Sequence, residues 1–143
     1  MGKLGLWTGL VGLGSGAIFD GILLHRLLQW HHVSPHTALS PEAVLWDGLF
    51  DALNVGIVAV GLAGLWRIRD RLPATSGRCI LVLFLMGFGL WHLAEGIVIH
   101  LITGLHRVRP DAEIPLVWDL LWLVMFGILP LAIGSVLRGA PER

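Results

Sequence analysis

Four long apolar stretches constrain this chain more than any other feature. They run over roughly Leu4–Trp30, Ala43–Trp66, Cys79–Leu105 and Ile114–Leu137. Each is long enough to cross about 30 Å of hydrocarbon as a helix, which takes about 20 mainly apolar residues. They are too long for the strands of a membrane β-barrel, and they lack its alternation of apolar and polar residues. We therefore predict an all-α integral membrane protein with four transmembrane helices, forming a single domain over residues 1–143.

The composition excludes several other classes of protein. Hydrophobic residues make up 55% of the chain and charged residues only 14%, too few to coat a soluble domain of 143 residues. Ten basic residues balance ten acidic ones, so the chain lacks the positive charge that nucleic acid requires. A single cysteine, Cys79, excludes a disulfide scaffold and a cysteine-based zinc site. The expected partner is the lipid bilayer, and nucleic acid is not expected.

The connections between the spans predict how the helices are arranged. All three are short and contain proline, which ends helices, so we predict an up-down-up-down bundle. The second connection, WRIRDRLPATSGR, holds four arginines, whereas the first holds none. Basic loops stay on the cytoplasmic side, which places both termini in the cytoplasm of a bacterium, with the protein in its inner membrane. Arg107 and Arg109 in the third connection oppose this orientation.

The chain resembles itself at a fixed spacing. The segment GLGSGAIFDGILLHRLLQWHHV at residues 12–33 aligns without a gap with GFGLWHLAEGIVIHLITGLHRV at residues 87–108, an offset of 75. VLWDGLF at residue 44 aligns with LVWDLLW at an offset of 72. The paired polar residues are Asp20/Glu95, His25/His100, His31/His106 and Asp47/Asp119. We predict two repeat units, about residues 1–70 and 76–143, which have parallel topology because each contains two spans.

These paired residues are expensive to place in a membrane. A charged group at the bilayer centre costs at least about 2.5–3.5 kcal/mol, and coordination of a cation would satisfy both carboxylate and imidazole. Histidine with carboxylate is a ligand set for iron, zinc, manganese or Cu(II). We predict a duplicated metal site in the outer half of the bundle that holds two ions of iron, copper or zinc. Its candidate ligands are His25, His31, Asp47, His100, His106 and Asp119, with Asp20 and Glu95 as ligands or as supporting groups.

Helical geometry complicates this prediction. At about 100° per residue, Asp20 and His31 share one face of a straight α-helix, while His25 lies about 140° away. A straight helix therefore cannot direct all three side chains to one ion. Gly21 and Gly96, which follow the two midspan acids, are the candidate positions for a local distortion.

Other polar residues break the symmetry. His32 aligns with Arg107, His92 with Ala17, and Asp51 and Asn54 have apolar counterparts. We treat His32, Asp51, His92 and Asn54 as possible additional or supporting groups, and we expect His36 in the first connection to be solvated. The Glu-x-x-His pair of di-iron bundles is absent, since His92-x-x-Glu95 has the reverse order, so the sequence does not favour a di-iron centre.

The strings FDGILLHRLLQWHH, WDGLFD and HLAEGIVIH together resemble the DUF2243 family of small four-span bacterial membrane proteins. The resemblance covers nearly the whole chain. By analogy it implies a metal or haem role, because members of the family keep company with respiratory oxidase assembly proteins. It assigns no catalytic residue, since function follows from a site rather than from a fold.

Three functions compete. The first is a metalloprotein that handles metal or carries out metal-dependent oxidation and reduction; whether any reaction is catalysed is left open. The second is a b-type cytochrome whose haem is ligated by His25 and His100, which are predicted to lie at equal depth. The third is a proton or cation pathway lined by the buried acids and histidines, which would require an oligomer. A homo-oligomer and other membrane proteins are the candidate protein partners.

Overall fold

A computed structural model of the chain describes residues 2–33 and 40–139. It contains four helices that are long and apolar enough to cross a membrane: α1 (Lys3–Leu27), α2 (Pro41–Arg67), α3 (Gly77–Thr103) and α4 (Pro115–Gly139). A short 3₁₀ helix, Arg69–Ala74, connects α2 to α3, and no strand occurs in the described ranges. The predicted all-α class and the four predicted spans are confirmed. His36 lies outside the described residues.

The sequence specifies the helix starts locally. The Ser40 hydroxyl accepts a hydrogen bond from the backbone N–H of Ala43 at 3.0 Å, and Ser76 accepts one from Cys79 at 3.2 Å. Each serine satisfies a backbone donor that the first helical turn leaves without a partner. Proline occupies the start of α2 and of α4, where its missing N–H costs nothing. The first residues of α2, α3 and α4 thus follow from ordinary N-terminal capping rules.

Three of the four helices change from α to π geometry partway along. α1 changes at Gly21–Leu27, α3 at Gly96–Thr103 and α4 at Leu123–Ile128, whereas α2 is α-helical throughout. At the end of the first π segment, the Leu28 N–H donates to the Leu23 carbonyl, five residues back, at 2.9 Å. The π segments of α1 and α3 begin at Gly21 and Gly96, the two positions at which the sequence predicts a distortion. That expectation is confirmed.

Small residues set the contact between α1 and α3. α1 packs against both α2 and α3, and α3 packs against α4. A Cβ atom on Gly12 would collide with the Phe84 carbonyl, and one on Gly87 with the Gly9 carbonyl, so only glycine permits this close approach. The contact joins the two halves of the chain.

Polarity is distributed in the reverse of a soluble protein. Large apolar side chains face outward, among them Leu27, Leu53, Ile102 and Val136, each at least 65% exposed. The interior holds Asp20, His92, His100 and Asn54, each at most 1% exposed. An apolar surface of this extent is stable in lipid, because its exposure to water would be energetically unfavourable. The buried polar groups must therefore find their partners inside the bundle.

Candidate metal centre

Two sharp reversals of the backbone place His31 and His106 over the bundle. They follow the π segments of α1 and α3, at Gln29 with φ 51° and Gly104 with φ 60°. Both residues adopt the left-handed conformation, and they are 75 positions apart in the sequence. The chain turns back there, so a histidine two positions further on lies against the end of the bundle. We call this end, formed by residues 28–33 and 104–108, the histidine end.

The π segment of α1 brings Asp20 and His25 together. Hydrogen bonds in a π-helix span five residues and not four, so positions 20 and 25 lie closer to one face than they would on a straight α-helix. His25 Nε2 lies 3.4 Å from the Asp20 carboxylate, and both side chains are buried. The local geometry therefore resolves the conflict of helical phase that a straight α-helix would impose. Glu95, the counterpart of Asp20, lies beside the Asp20 carboxyl group.

Five side chains from both halves converge at this point. His31, His100 and His106 have ligand atoms within 4.8 Å of one another, and so do Asp20, His25 and His31. The His31 ring stacks on that of His106 with centroids 4.5 Å apart and lies 4.9 Å from the His25 ring. We call the first group the imidazole triad and the second the carboxylate triad. His31 belongs to both.

Several atoms of the cluster have no hydrogen-bond partner. The His31 Nδ1 atom pairs with the Val108 carbonyl at 3.0 Å, which leaves Nε2 free to face the cluster. Among the described residues, no hydrogen bond reaches the buried Asp20 oxygens or the Nε2 atoms of His25, His31, His100 and His106. Buried polar atoms are ordinarily satisfied, so this convergence of unsatisfied lone pairs is a group of candidate metal ligands. Around a tetrahedral ion with bonds of about 2.0–2.1 Å, adjacent ligand atoms lie about 3.3 Å apart, close to the observed spacing of Asp20 and His25.

Asp47 and Asp119 lie behind the histidines and not among the grouped ligand atoms. Asp47 Oδ1 lies 3.4 Å from His25 Nδ1, and Asp119 Oδ1 lies 3.6 Å from His100 Nδ1. The same oxygens accept the backbone N–H of Val33 and of Val108, both at 2.9 Å. Each aspartate is thus fixed by the backbone of the reversed segment and faces the Nδ1 side of one histidine. The two halves make matching contacts at matching positions.

The outer partners of these aspartates differ between the halves. Asp47 Oδ2 lies 2.6 Å from His32 Nδ1, whereas Asp119 Oδ2 accepts from the Arg107 guanidinium at 2.7 Å. Sequence reasoning did not assign Arg107 to the site. Its alignment with His32 was the available signal, because both residues precede a valine whose N–H binds the aspartate. Only one of the two buried carboxylates is therefore paired with a permanent cation.

The remaining candidate residues lie outside the two triads. His92 Nδ1 pairs with the Phe88 carbonyl at 3.0 Å, and the Asn54 amide donates to the Phe50 carbonyl at 2.9 Å. Asp51 accepts two hydrogen bonds from Arg26, at 3.0 and 3.2 Å. The His92 Nε2 atom and one Glu95 oxygen are buried without a hydrogen bond among the described residues. These groups border the cluster on its midspan side or pack the helices.

The cluster favours neutral imidazole at its outer edge. Burial lowers the pKa of His31 from its usual 6.5 to about 4, against the opposing effect of the negative Asp20. Burial also lowers the pKa of His106 to about 3, and the neighbouring His31 adds to that effect. Both side chains are therefore neutral at pH 7, which is the protonation state that a metal ligand requires.

The chain was compared with known proteins. A family described as "Predicted membrane protein (DUF2243)" matches residues 8–140. The chain belongs to this family. The match includes every residue of the two triads and both supporting aspartates, so the resemblance seen in the sequence is confirmed. No curated protein and no solved structure gives a significant match.

Proposed function

We propose that this protein binds a transition metal ion within the membrane, at the histidine end of the bundle. The candidate ligands are the imidazoles of the imidazole triad, His31, His100 and His106, and the side chains of the carboxylate triad, Asp20, His25 and His31. The observation that carries the proposal is the convergence of buried lone pairs without hydrogen-bond partners on one point. An ion there would offset the cost of placing these groups in a membrane.

The donor set limits the choice of metal. Imidazole with carboxylate suits iron, zinc or Cu(II), whereas Cu(I) would prefer thiolate and thioether ligands. Iron or copper would give the site access to oxidation and reduction, and zinc would not. On this basis we propose that the chain handles metal or carries out redox chemistry. The further proposal of a role in respiratory oxidase assembly rests on the resemblance to its family alone.

Asp47 and Asp119 would act as positioning residues for the metal ligands. A carboxylate on the Nδ1 side of an imidazole fixes the N–H tautomer, so that Nε2 presents its lone pair to the metal. The contacts of both aspartates with the histidine Nδ1 atoms support this role. It differs from direct ligation by Asp47 and Asp119, which the sequence suggested and which stays a prediction.

The cluster geometry favours a metal ion over haem. Two histidines that ligate one haem iron need the full area of a macrocycle between them. Here the His31 ring lies 4.9 Å from that of His25 and 5.8 Å from that of His100, so it occupies the space between the two. The buried carboxylate of Asp20 also faces the cluster, where a ferrous or ferric haem has no need of it.

Elemental analysis of the purified protein tests the proposal. After growth in metal-supplemented medium, or after reconstitution with Zn²⁺, Cu²⁺ or Fe²⁺, we expect stoichiometric metal by mass spectrometry. His31→Ala, which removes a ligand from both triads, should lose it. His36→Ala is the matched control, because the sequence predicts that this histidine is solvated. Wild-type protein that binds no metal under any of these conditions would refute the proposal, and a Soret band would favour haem instead.

Proton flux into liposomes is the measurement that tests the predicted ion pathway. The adjacent carboxyl groups of Asp20 and Glu95 lie within the spans α1 and α3, in the last third of each, and acids inside spans commonly mark ion pathways. Proton flux into liposomes that is unchanged by Asp20→Asn and Glu95→Gln would count against it.

A further inference from the structure

The two triads share His31, and this side chain has one nitrogen available as a metal ligand. His31 is the only described side chain present in both the imidazole triad and the carboxylate triad. Its Nδ1 atom is engaged with the Val108 carbonyl at 3.0 Å, so Nε2 alone remains for a ligand. A neutral imidazole nitrogen has a single lone pair in the plane of its ring, which bonds to one metal ion. His31 therefore cannot ligate two separate ions, one in each triad, at the same time.

Charge leads to the same conclusion. Asp20 is the one carboxylate in either triad, and Glu95 lies beside it. Asp47 adds a second negative charge behind His25, whereas Asp119 is paired with the Arg107 guanidinium and adds no net negative charge. Two divalent cations would bring four positive charges into a buried site, where repulsion is poorly screened. One divalent ion matches the negative charge that the site offers far better than two.

We infer that each chain holds one metal ion, with His31 as the ligand common to two alternative positions, one completed by the imidazole triad and one by the carboxylate triad. This inference rests on the proposed function and replaces the two ions that the sequence repeat suggests. The duplicated halves then build one site at their junction and not two separate sites. Each position takes ligands from the first half through His31, and the imidazole position also takes His100 and His106 from the second.

Stoichiometry is the first test, and it needs no variant. The intact protein in detergent is titrated with Co²⁺, whose visible absorption reports coordination, and with Zn²⁺ followed by removal of unbound metal and elemental analysis. We expect saturation at one ion per chain. Saturation at two ions would overturn the inference while leaving the proposed metal function intact. Absence of any binding would overturn both, so the two failures are distinguishable.

The shared histidine is the second test. His25→Ala leaves the imidazole triad complete, and His106→Ala leaves the carboxylate triad complete, so each variant should still bind one Zn²⁺. His31→Gln breaks both triads but keeps an N–H donor for the Val108 carbonyl. Loss of an outer partner of a metal ligand typically costs about 10–100-fold in affinity, and loss of the ligand itself should cost at least as much. We therefore expect the Zn²⁺ dissociation constant of His31→Gln to exceed that of either single variant by at least about tenfold.

A double variant distinguishes a shared ligand from a merely sensitive position. His25→Ala combined with His106→Ala leaves neither triad complete, although His31 is present. It should therefore bind Zn²⁺ as weakly as His31→Gln. If the double variant retains the affinity of the single variants, or if His31→Gln binds as well as they do, the assignment of His31 as the common ligand is wrong. The elution volume and melting temperature of each metal-free variant show that it is folded.

Discussion

Substitution of Asp47 by asparagine isolates the positioning role proposed for the two buried aspartates. An asparagine carbonyl can still accept the Val33 N–H at 2.9 Å, so the backbone of the reversed segment keeps its anchor. What is lost is the negative charge that faces His25 Nδ1 at 3.4 Å and His32 Nδ1 at 2.6 Å. The Asp47 side chain is only 2% exposed, so water scarcely screens that charge. The change therefore acts on the metal ligand more than on the fold.

The expected magnitude follows from this arrangement. Removing an outer partner of a metal-bound histidine typically weakens metal binding by about 10–100-fold. That range corresponds to about 1.4–2.7 kcal/mol of binding free energy, since each factor of ten is about 1.4 kcal/mol. The dissociation constant for Zn²⁺ is measured in competition with a chromophoric chelator. The metal-induced rise in melting temperature gives a second reading, because it scales with affinity for the folded state.

Asp51→Asn is the matched control. Asp51 is on the same helix, one turn further into the bundle, and it pairs with Arg26 instead of a histidine. Its side chain is 28% exposed, and exposed ion pairs contribute little, so we expect zinc affinity to stay within about twofold of wild type. If Asp47→Asn binds zinc as tightly as wild type, or if Asp51→Asn loses as much affinity as Asp47→Asn, the positioning argument is wrong.

Three further predictions concern stability and orientation. Gly104→Ala should destabilise the protein by about 1 kcal/mol, because a side chain is strained at φ 60°, whereas Gly56→Ala, with open space around it, should not; thermal unfolding compares the two. The free energy of unfolding of the metal-free protein should be fully present above pH 6.5. It should fall as the pH drops from about 6.5 toward 4, because His31 and His106 become protonated in the unfolded chain while they stay neutral in the folded one. A melting temperature that does not depend on pH over this range would contradict the argument. Exposed Cys79, the single cysteine, should react with a membrane-impermeant maleimide in inverted vesicles and not in right-side-out vesicles, and the opposite pattern would reverse the predicted orientation.

Much of the fold and part of the site can be predicted from this sequence. The spans could be found because a membrane requires about 20 apolar residues in succession, a property that is read along the chain without tertiary information. The importance of Asp20, His25 and His31 could be predicted because costly polar residues recur at a fixed offset in a second apolar segment. Gly21 was identifiable for the same reason, since it follows the midspan acid in a position that its counterpart shares.

The tertiary structure decided which of these groups meet. The roles of Asp47 and Asp119 depend on side-chain direction, and that direction depends on where the backbone of residues 28–33 and 104–108 turns. Gln29 gave no signal for the first turn, because glutamine ordinarily avoids positive φ. The sequence by itself determined that four apolar helices would bury a duplicated set of acids and histidines. Only the three-dimensional arrangement, through two π segments and two backbone reversals, merged the set into a single cluster around His31.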